Sequence, residues 1–187
     1  YDRLPTLKIF DPACGCGNFL VIAYRELRLL ENELIDKLFS KGGQSKGLLD
    51  IGTQSRVTVD QFYGLEIDPS AAHIAQVALW ITDHQLNLIT ADRFGSTRPS
   101  IPLVKSAHIR QGNALRVDWA EVLAPEQCSF IVGNPPFVGA KYQSAEQRED
   151  VAAVLGGIAN HGLLDYVACW HVLAARYMQA NPQMACA

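Results

Sequence analysis

The stretch that decides the fold is FDPACGCGNFL, running from Phe10 to Leu20. Leu7–Phe10, apolar but for Lys8, is a short strand candidate that runs into Asp11 and Pro12. A proline donates no backbone hydrogen bond and pushes the residue before it out of the helical region, so the strand must stop there. The glycine-bearing loop Ala13–Asn18 follows. Beyond it Leu20, Ala23, Leu27, Leu30, Leu34 and Leu38 recur every three or four residues, which predicts an amphipathic helix facing inward along that stripe.

The same grammar repeats outward from this unit. Ser40–Arg56 is polar and reads as a surface loop or insertion. Val57–Ile67 is a second strand region closing on GLEIDPS. Asp68 is a good N-cap with Pro69 at the first helical position, opening a helix through about Leu88. A second loop, Ala91–Ser106, contains Gly95, Pro99 and Pro102. Ala107–Arg110 is a third strand ending in QGNAL, and Ser129–Val132 a fourth ending in GNPPF. A mixed, charged segment, Lys141–Asp150, precedes a last helix over about Leu163–Gln179, with Val167, Trp170, Leu173, Ala174 and Tyr177 on its apolar face. Alternating strands and helices predict an α/β architecture with a doubly wound, mostly parallel sheet. Such sheets bind ligands at the carboxyl ends of their strands, where all four suggestive clusters fall.

The whole chain bounds what those ends can do. Its 187 residues suffice for one domain, and 49% hydrophobic with 19% charged residues suits a globular fold. The chain opens at Tyr1 rather than Met, so it is expected to be a piece of a longer protein. No apolar run is long enough to span a membrane and no basic-then-apolar leader is visible, which makes the cytoplasm the expected location. Net charge is −3, and no strong lysine/arginine block offers a self-sufficient grip on nucleic acid. Five cysteines occur, with Cys14 and Cys16 separated by one residue and Cys128, Cys169 and Cys186 scattered. Without a C-x-x-C pair they are expected to be thiols, and no metal site is expected. None of the five histidines is expected to be catalytic.

Gly15 and Gly17 let backbone approach a ligand closely. A dinucleotide loop is the obvious reading, but it wants a third glycine where Leu20 stands and an acid about 20 residues on, and the next strand-end acid is Glu66. Asp11 is a poor neighbour for pyrophosphate and a good one for an ammonium group. This points to S-adenosylmethionine, with Asp11 and the loop on its methionine part and Glu66 accepting both ribose hydroxyls. Asn113 would exchange hydrogen bonds with the adenine ring. A solvated Glu66 and a turn-forming Asn113 are the plainer alternatives.

Taken together, DPACGCGNF, GLEIDP, GNAL and GNPPF, in this order, resemble motifs I to IV of amino-methyltransferases that methylate adenine at N6. The form is that of the gamma order of DNA N6-adenine methylases. DPACGCGNFL, NPPFVGAKYQ and the following QRED resemble more narrowly the MmeI-like branch, in which methylase and endonuclease share one restriction-modification polypeptide. The resemblance implies a class I methyltransferase fold truncated at its C-terminal strands, with residues 1–187 a single partial catalytic domain. It implies cofactor contacts at Asp11, Pro12, Ala13, Cys14, Gly15, Gly17, Asn18, Phe19, Glu66, Ile67, Asn113, Ala114 and Asn134. It implies a catalytic turn formed by Asn134, Pro135, Pro136 and Phe137.

The turn's implied chemistry suits its residues. An exocyclic adenine amino group is a poor nucleophile, because its lone pair is delocalised into the ring. The Asn134 side-chain oxygen and the Pro135 carbonyl would accept its two hydrogens, and Phe137 would stack on a base flipped from the duplex. No cysteine nucleophile or covalent base adduct is then required, and Cys16 is expected to be a loop residue. Asp165 and Tyr166 are candidates for lining the cofactor pocket, and Lys141 and Tyr142 for touching DNA phosphate. The partner implied is double-stranded DNA, gripped mainly by domains outside this chain. The rival expectations are an rRNA-base or protein-glutamine methyltransferase, or a non-catalytic scaffold with the same fold.

Overall fold

A computed structural model describes residues 1–40, 55–94 and 107–187. The Ser40–Arg56 and Ala91–Ser106 loops expected from the sequence fall largely outside the described residues. Strands β1 (Ile9–Asp11), β2 (Phe62–Glu66), β3 (His108–Gln111), β4 (Phe130–Ile131) and β5 (Ala185–Cys186) form one sheet in the order β3-β2-β1-β4-β5. Every pairing is parallel; Phe10 stands beside Tyr63 on one side and Ile131 on the other. The chain moves outward from β1 in one direction through β2 and β3, and in the other through β4 and β5. The carboxyl ends of β1 and β4 therefore flank the topological switch point, where an open crevice forms.

The helices are α1 (Asn18–Ser40), α2 (Pro69–Phe94), α3 (Ala145–Leu155) and α4 (Ala168–Met178). Side chains of adjacent strand residues point to opposite faces. Ile9 and Phe62 join Leu20, Tyr24 and Leu79 beneath α1 and α2, while Phe10, Leu65 and Ile131 join Trp119, Trp170 and Tyr177 beneath α3 and α4. Burial on both faces explains why these strands read as short apolar runs without alternation.

Two elements differ from the sequence expectation. Helix α1 spans the expected residues, but its inward stripe is Leu20, Tyr24, Arg28, Glu31, Asn32 and Ile35, while Leu30 and Leu38 are exposed. The reason is a buried polar seam against α2. Arg28, fully buried, donates to the Tyr24 hydroxyl at 2.9 Å, Asp83 at 3.3 Å and Asn87 at 3.0 Å, and pairs with Glu31 at 3.5 Å. Buried charge is tolerated when its partners are buried with it. The charged segment Lys141–Asp150, to which the sequence assigned no element, contains the start of α3 at Ala145. Ser144 and Gln147 form a reciprocal capping box there, the Ser144 hydroxyl accepting from the Gln147 N–H at 3.1 Å.

The expected N-cap of α2 is present, with Asp68 Oδ1 accepting the Ala71 N–H at 2.7 Å. Strand β5 adds a fifth strand beyond the four expected.

Candidate active site

At the carboxyl edge of the sheet lies a cavity of about 550 Å³. Its floor comes from Pro12 and Ala13 after β1, Glu66 and Ile67 after β2, and Asn113 and Ala114 after β3; Asn134 and Pro136 after β4 form one wall. The structure thus brings all four sequence motifs to a single hollow.

The glycine loop is shaped by close packing. Gly17 has φ +85°, and a β-carbon there would lie 3.0 Å from the Ala75 side chain on α2. Only glycine meets both conditions cheaply. The loop is tied to β2 twice: the Cys14 N–H donates to the Leu65 carbonyl at 3.0 Å, and the Gly15 N–H to Glu66 Oε2 at 2.8 Å. Glu66 Oε1 also accepts the Asp68 N–H at 2.9 Å. Both oxygens of Glu66 are therefore engaged once by backbone, leaving a lone pair on each for a ligand.

Asp11, almost fully buried at 1% exposure, does not line the main cavity; with Pro135 it faces a smaller adjoining one of about 100 Å³. Its Oδ1 accepts the Ala13 N–H at 2.9 Å, and its Oδ2 has no partner. Burial pushes this carboxyl up to about 7, the Ala13 hydrogen bond opposing and the neighbouring Glu66 charge adding to the rise. An orphaned, buried carboxylate oxygen of this kind suits a cationic hydrogen-bond donor.

The remaining sequence candidates divide. Cys14 is buried, and a β-carbon on Gly64 would lie 2.9 Å from its sulfur, so it packs the loop down on β2. Cys16 and Asn18 are exposed, and Phe19 is half-exposed at the start of α1. None of these three lines the cavity. Asn113 is less free than the sequence suggests: its Oδ1 accepts the Leu115 N–H at 2.9 Å and its Nδ2 donates to Asp150 at 3.1 Å.

Beyond β4 the chain turns through Asn134–Phe137. Among the described residues, neither the Asn134 side chain nor the Pro135 carbonyl makes a hydrogen bond, and Phe137 is 70% exposed. This turn presents unused acceptors beside a bare aromatic face. Its exit is rigid: the Val138 N–H donates to Asp165 Oδ1 at 3.0 Å, and the Val138 carbonyl accepts from the Tyr166 N–H at 3.0 Å and Gln143 Nε2 at 3.2 Å. Asp165 therefore braces the turn and does not line the main cavity, whereas Tyr166 does.

Sequence reasoning missed Asp150 and Trp170, which both line the cavity. Trp170 donates to the Pro12 carbonyl at 3.2 Å, locking the first loop to α4. Asp150 receives the Tyr166 hydroxyl at 2.9 Å and Arg116 Nε at 2.6 Å. The helix-capping pattern S-x-x-Q ahead of it was the one local signal that its segment is ordered.

The MmeI DNA-methyltransferase domain, as a family model, matches residues 1–187. The chain belongs to this MmeI DNA-methyltransferase family. Within it, the solved type IIL restriction-modification enzyme MmeI, determined in complex with DNA, is 49% identical and superposes with a TM-score of 0.93 over 99% of this chain and 24% of that one. DNA methyltransferase A of Bacillus subtilis (strain 168) is 39% identical over 179 residues, 94% of this chain and 20% of that protein. The type ISP restriction-modification enzyme LlaGI, 15% identical with a TM-score of 0.54 over 92% of this chain and 14% of that one, shares the fold. The MmeI-family chain described here thus spans about a quarter or less of the length of these relatives. Among its described residues no helix is long and apolar enough to cross a membrane.

Proposed function

We propose that this domain transfers a methyl group from S-adenosylmethionine to the exocyclic N6 of an adenine flipped out of double-stranded DNA, within a restriction-modification or phage-defence enzyme. The observation that carries this reading is the turn after β4. Asn134, on the wall of the cavity built from the other three strand ends, and Pro135, on the smaller cavity beside it, offer two unengaged acceptors.

The residues present fit the cofactor. The orphaned Asp11 Oδ2 suits its ammonium group, Glu66 keeps a lone pair on each oxygen for the ribose hydroxyls, and Asn113 and Ala114 stand at the next strand end for the base. When bound, S-adenosylmethionine supplies an electrophilic methyl on a sulfonium. The protein's part is positioning. Asn134 and Pro135 accept the two amino hydrogens and localise the nitrogen lone pair, Phe137 stacks on the base, and the Val138 brace keeps the turn from yielding. Extrusion of the base from the duplex brings it to Phe137.

Relatives that are DNA methyltransferases and a DNA-bound restriction-modification enzyme support DNA as the acceptor. The grip on the duplex is assigned to parts of the polypeptide outside residues 1–187, in keeping with a net charge of −3. The test is transfer of labelled methyl by the full-length protein to DNA, RNA and protein acceptors. N6-methyladenine in digested DNA is expected; label in RNA or protein alone would overturn the assignment. Calorimetry that finds no cofactor binding by the full-length protein would favour a scaffold.

A further inference from the structure

We propose that Asp150 accepts a hydrogen bond from the exocyclic amino group of the cofactor's adenine ring, and so ties helix α3, just beyond the catalytic turn, to the cofactor. The inference rests on the S-adenosylmethionine reading and adds a base-selecting residue that lies outside the four strand-end motifs.

The order of the strand ends places the site. Asp11 closes β1, Glu66 closes β2, and Asn113 and Ala114 follow β3, so the ligand's cationic end, sugar and base would lie in sequence along the sheet edge. Asp150 stands at the base end, hydrogen-bonded directly to Asn113 and lining the same cavity as Ala114 and Tyr166. It is 3% exposed, so its free acceptor capacity faces protein and cavity and not bulk water.

Counting lone pairs shows that capacity. An ionised carboxylate offers about four acceptor sites. Asp150 Oδ2 takes the Asn113 amide at 3.1 Å and the Tyr166 hydroxyl at 2.9 Å, which fills it. Oδ1 takes only Arg116 Nε at 2.6 Å, so one site is open. Burial works against its charge, but the hydrogen bonds from Arg116, Asn113 and Tyr166 outweigh it and hold the carboxyl below its ordinary value.

Asn113 is the rival acceptor, and its geometry is less suitable. Its Oδ1 is drawn into the turn by the Leu115 N–H, and its amide group is a donor to Asp150. A neutral oxygen already holding one hydrogen is the weaker acceptor; a charged carboxylate forms hydrogen bonds roughly twice as strong. The Ala114 N–H, by contrast, makes no hydrogen bond among the described residues. Together Asp150 and the Ala114 N–H present an acceptor beside a donor. That pattern complements the amino group and adjacent ring nitrogen of a 6-aminopurine, and it opposes a 6-oxopurine, which reverses both polarities.

The test is calorimetry on the full-length protein with S-adenosylhomocysteine and its 6-oxo counterpart, S-inosylhomocysteine. Wild type is expected to bind the amino form at least about 10-fold more tightly. Asp150→Asn, whose amide can donate to a 6-oxo group, is expected to weaken the amino form about 10-fold and spare the oxo form, bringing the ratio near unity. Equal losses for both ligands would reduce Asp150 to a structural support and overturn the proposal. An unchanged ratio would pass the role to Asn113 and overturn it equally. Wild-type protein that binds neither ligand would instead overturn the cofactor reading itself. A second measurement does not depend on the variant folding. In a structure of the wild-type full-length protein with S-adenosylhomocysteine, N6 should lie within about 3.2 Å of an Asp150 oxygen; a separation beyond about 4 Å would refute the contact.

Discussion

The Asp11 carboxylate lies directly against Gly133, where a β-carbon would stand 2.7 Å from Asp11 Oδ1. The last residue of β1 and the residue that opens the turn after β4 thus touch across the switch point. Any side chain at 133 must displace either the buried acid or the Asn134–Phe137 turn.

Gly133→Ala should therefore lower methyl transfer at least about ten-fold and destabilise the protein by roughly 1 to 3 kcal/mol, the usual cost of overpacking. Chemical denaturation with a double-mutant cycle against Asp11→Ala checks the mechanism. The two substitutions should be strongly non-additive, because removing the carboxylate makes room for the methyl. Additive losses would show that the strain lies elsewhere.

Asp11 should also leave a pH signature. Its folded-state value of about 7 lies above the ordinary carboxylate range, so the native state holds this proton where the unfolded chain has released it. The stability contributed by the protonated acid is fully present below about pH 4 and is lost as pH rises through about 7. Asp11→Asn should flatten that part of the stability profile and leave the unliganded protein roughly 1 to 3 kcal/mol more stable at pH 8. The same substitution should weaken S-adenosylmethionine binding, because the partner for an ammonium group is gone. Denaturant midpoints at pH 5 and pH 8, with calorimetry at each, measure both effects.

Asn134 and Asp165 should separate chemistry from support. Asn134→Ala should abolish methylation and leave cofactor affinity nearly unchanged; equal loss of binding and turnover would show that Asn134 serves the cofactor. Asp165→Ala unties the Val138 N–H and should lower kcat about 10-fold or more with little change in the KM for cofactor. Unchanged kcat would mean that the proline pair alone holds the turn.

The seam between α1 and α2 is the place where a single substitution should cost most. Arg28→Met removes the buried cation that Glu31 and Asp83 face. Stability should fall by roughly 3 to 5 kcal/mol, since the acids stay buried without their partner. Urea denaturation of the purified variant reads this directly, and a loss under 1 kcal/mol would mean that the remaining donors on Glu31 and Asp83 suffice.

Local signals carried much of the architecture. Short apolar runs ending in proline, glycine or an acid announced the first four strands, and Asp68-Pro69 announced a helix start, because turn chemistry and capping act over a few residues. The fifth strand escaped because two residues, Ala185 and Cys186, show no periodicity. The inward face of α1 escaped because leucine spacing favoured one stripe, while the structure buries another whose polar groups find partners distant in sequence, among them Asp83, Asn87 and Thr90 of α2 and the Val57 N–H.

By itself the sequence determined that four strand ends bear clusters of polar residues, glycine and proline, and that Asn134, Pro135 and Phe137 share one proline turn. Tertiary structure alone decided which of those residues share a cavity. It set Asp11 aside beneath Gly133 and turned Asp165 into a brace. It brought Asp150, 37 residues from Asn113, into hydrogen-bond contact with it. A strand end is encoded by neighbours in the chain, whereas a buried carboxylate is defined by the donors that fold around it.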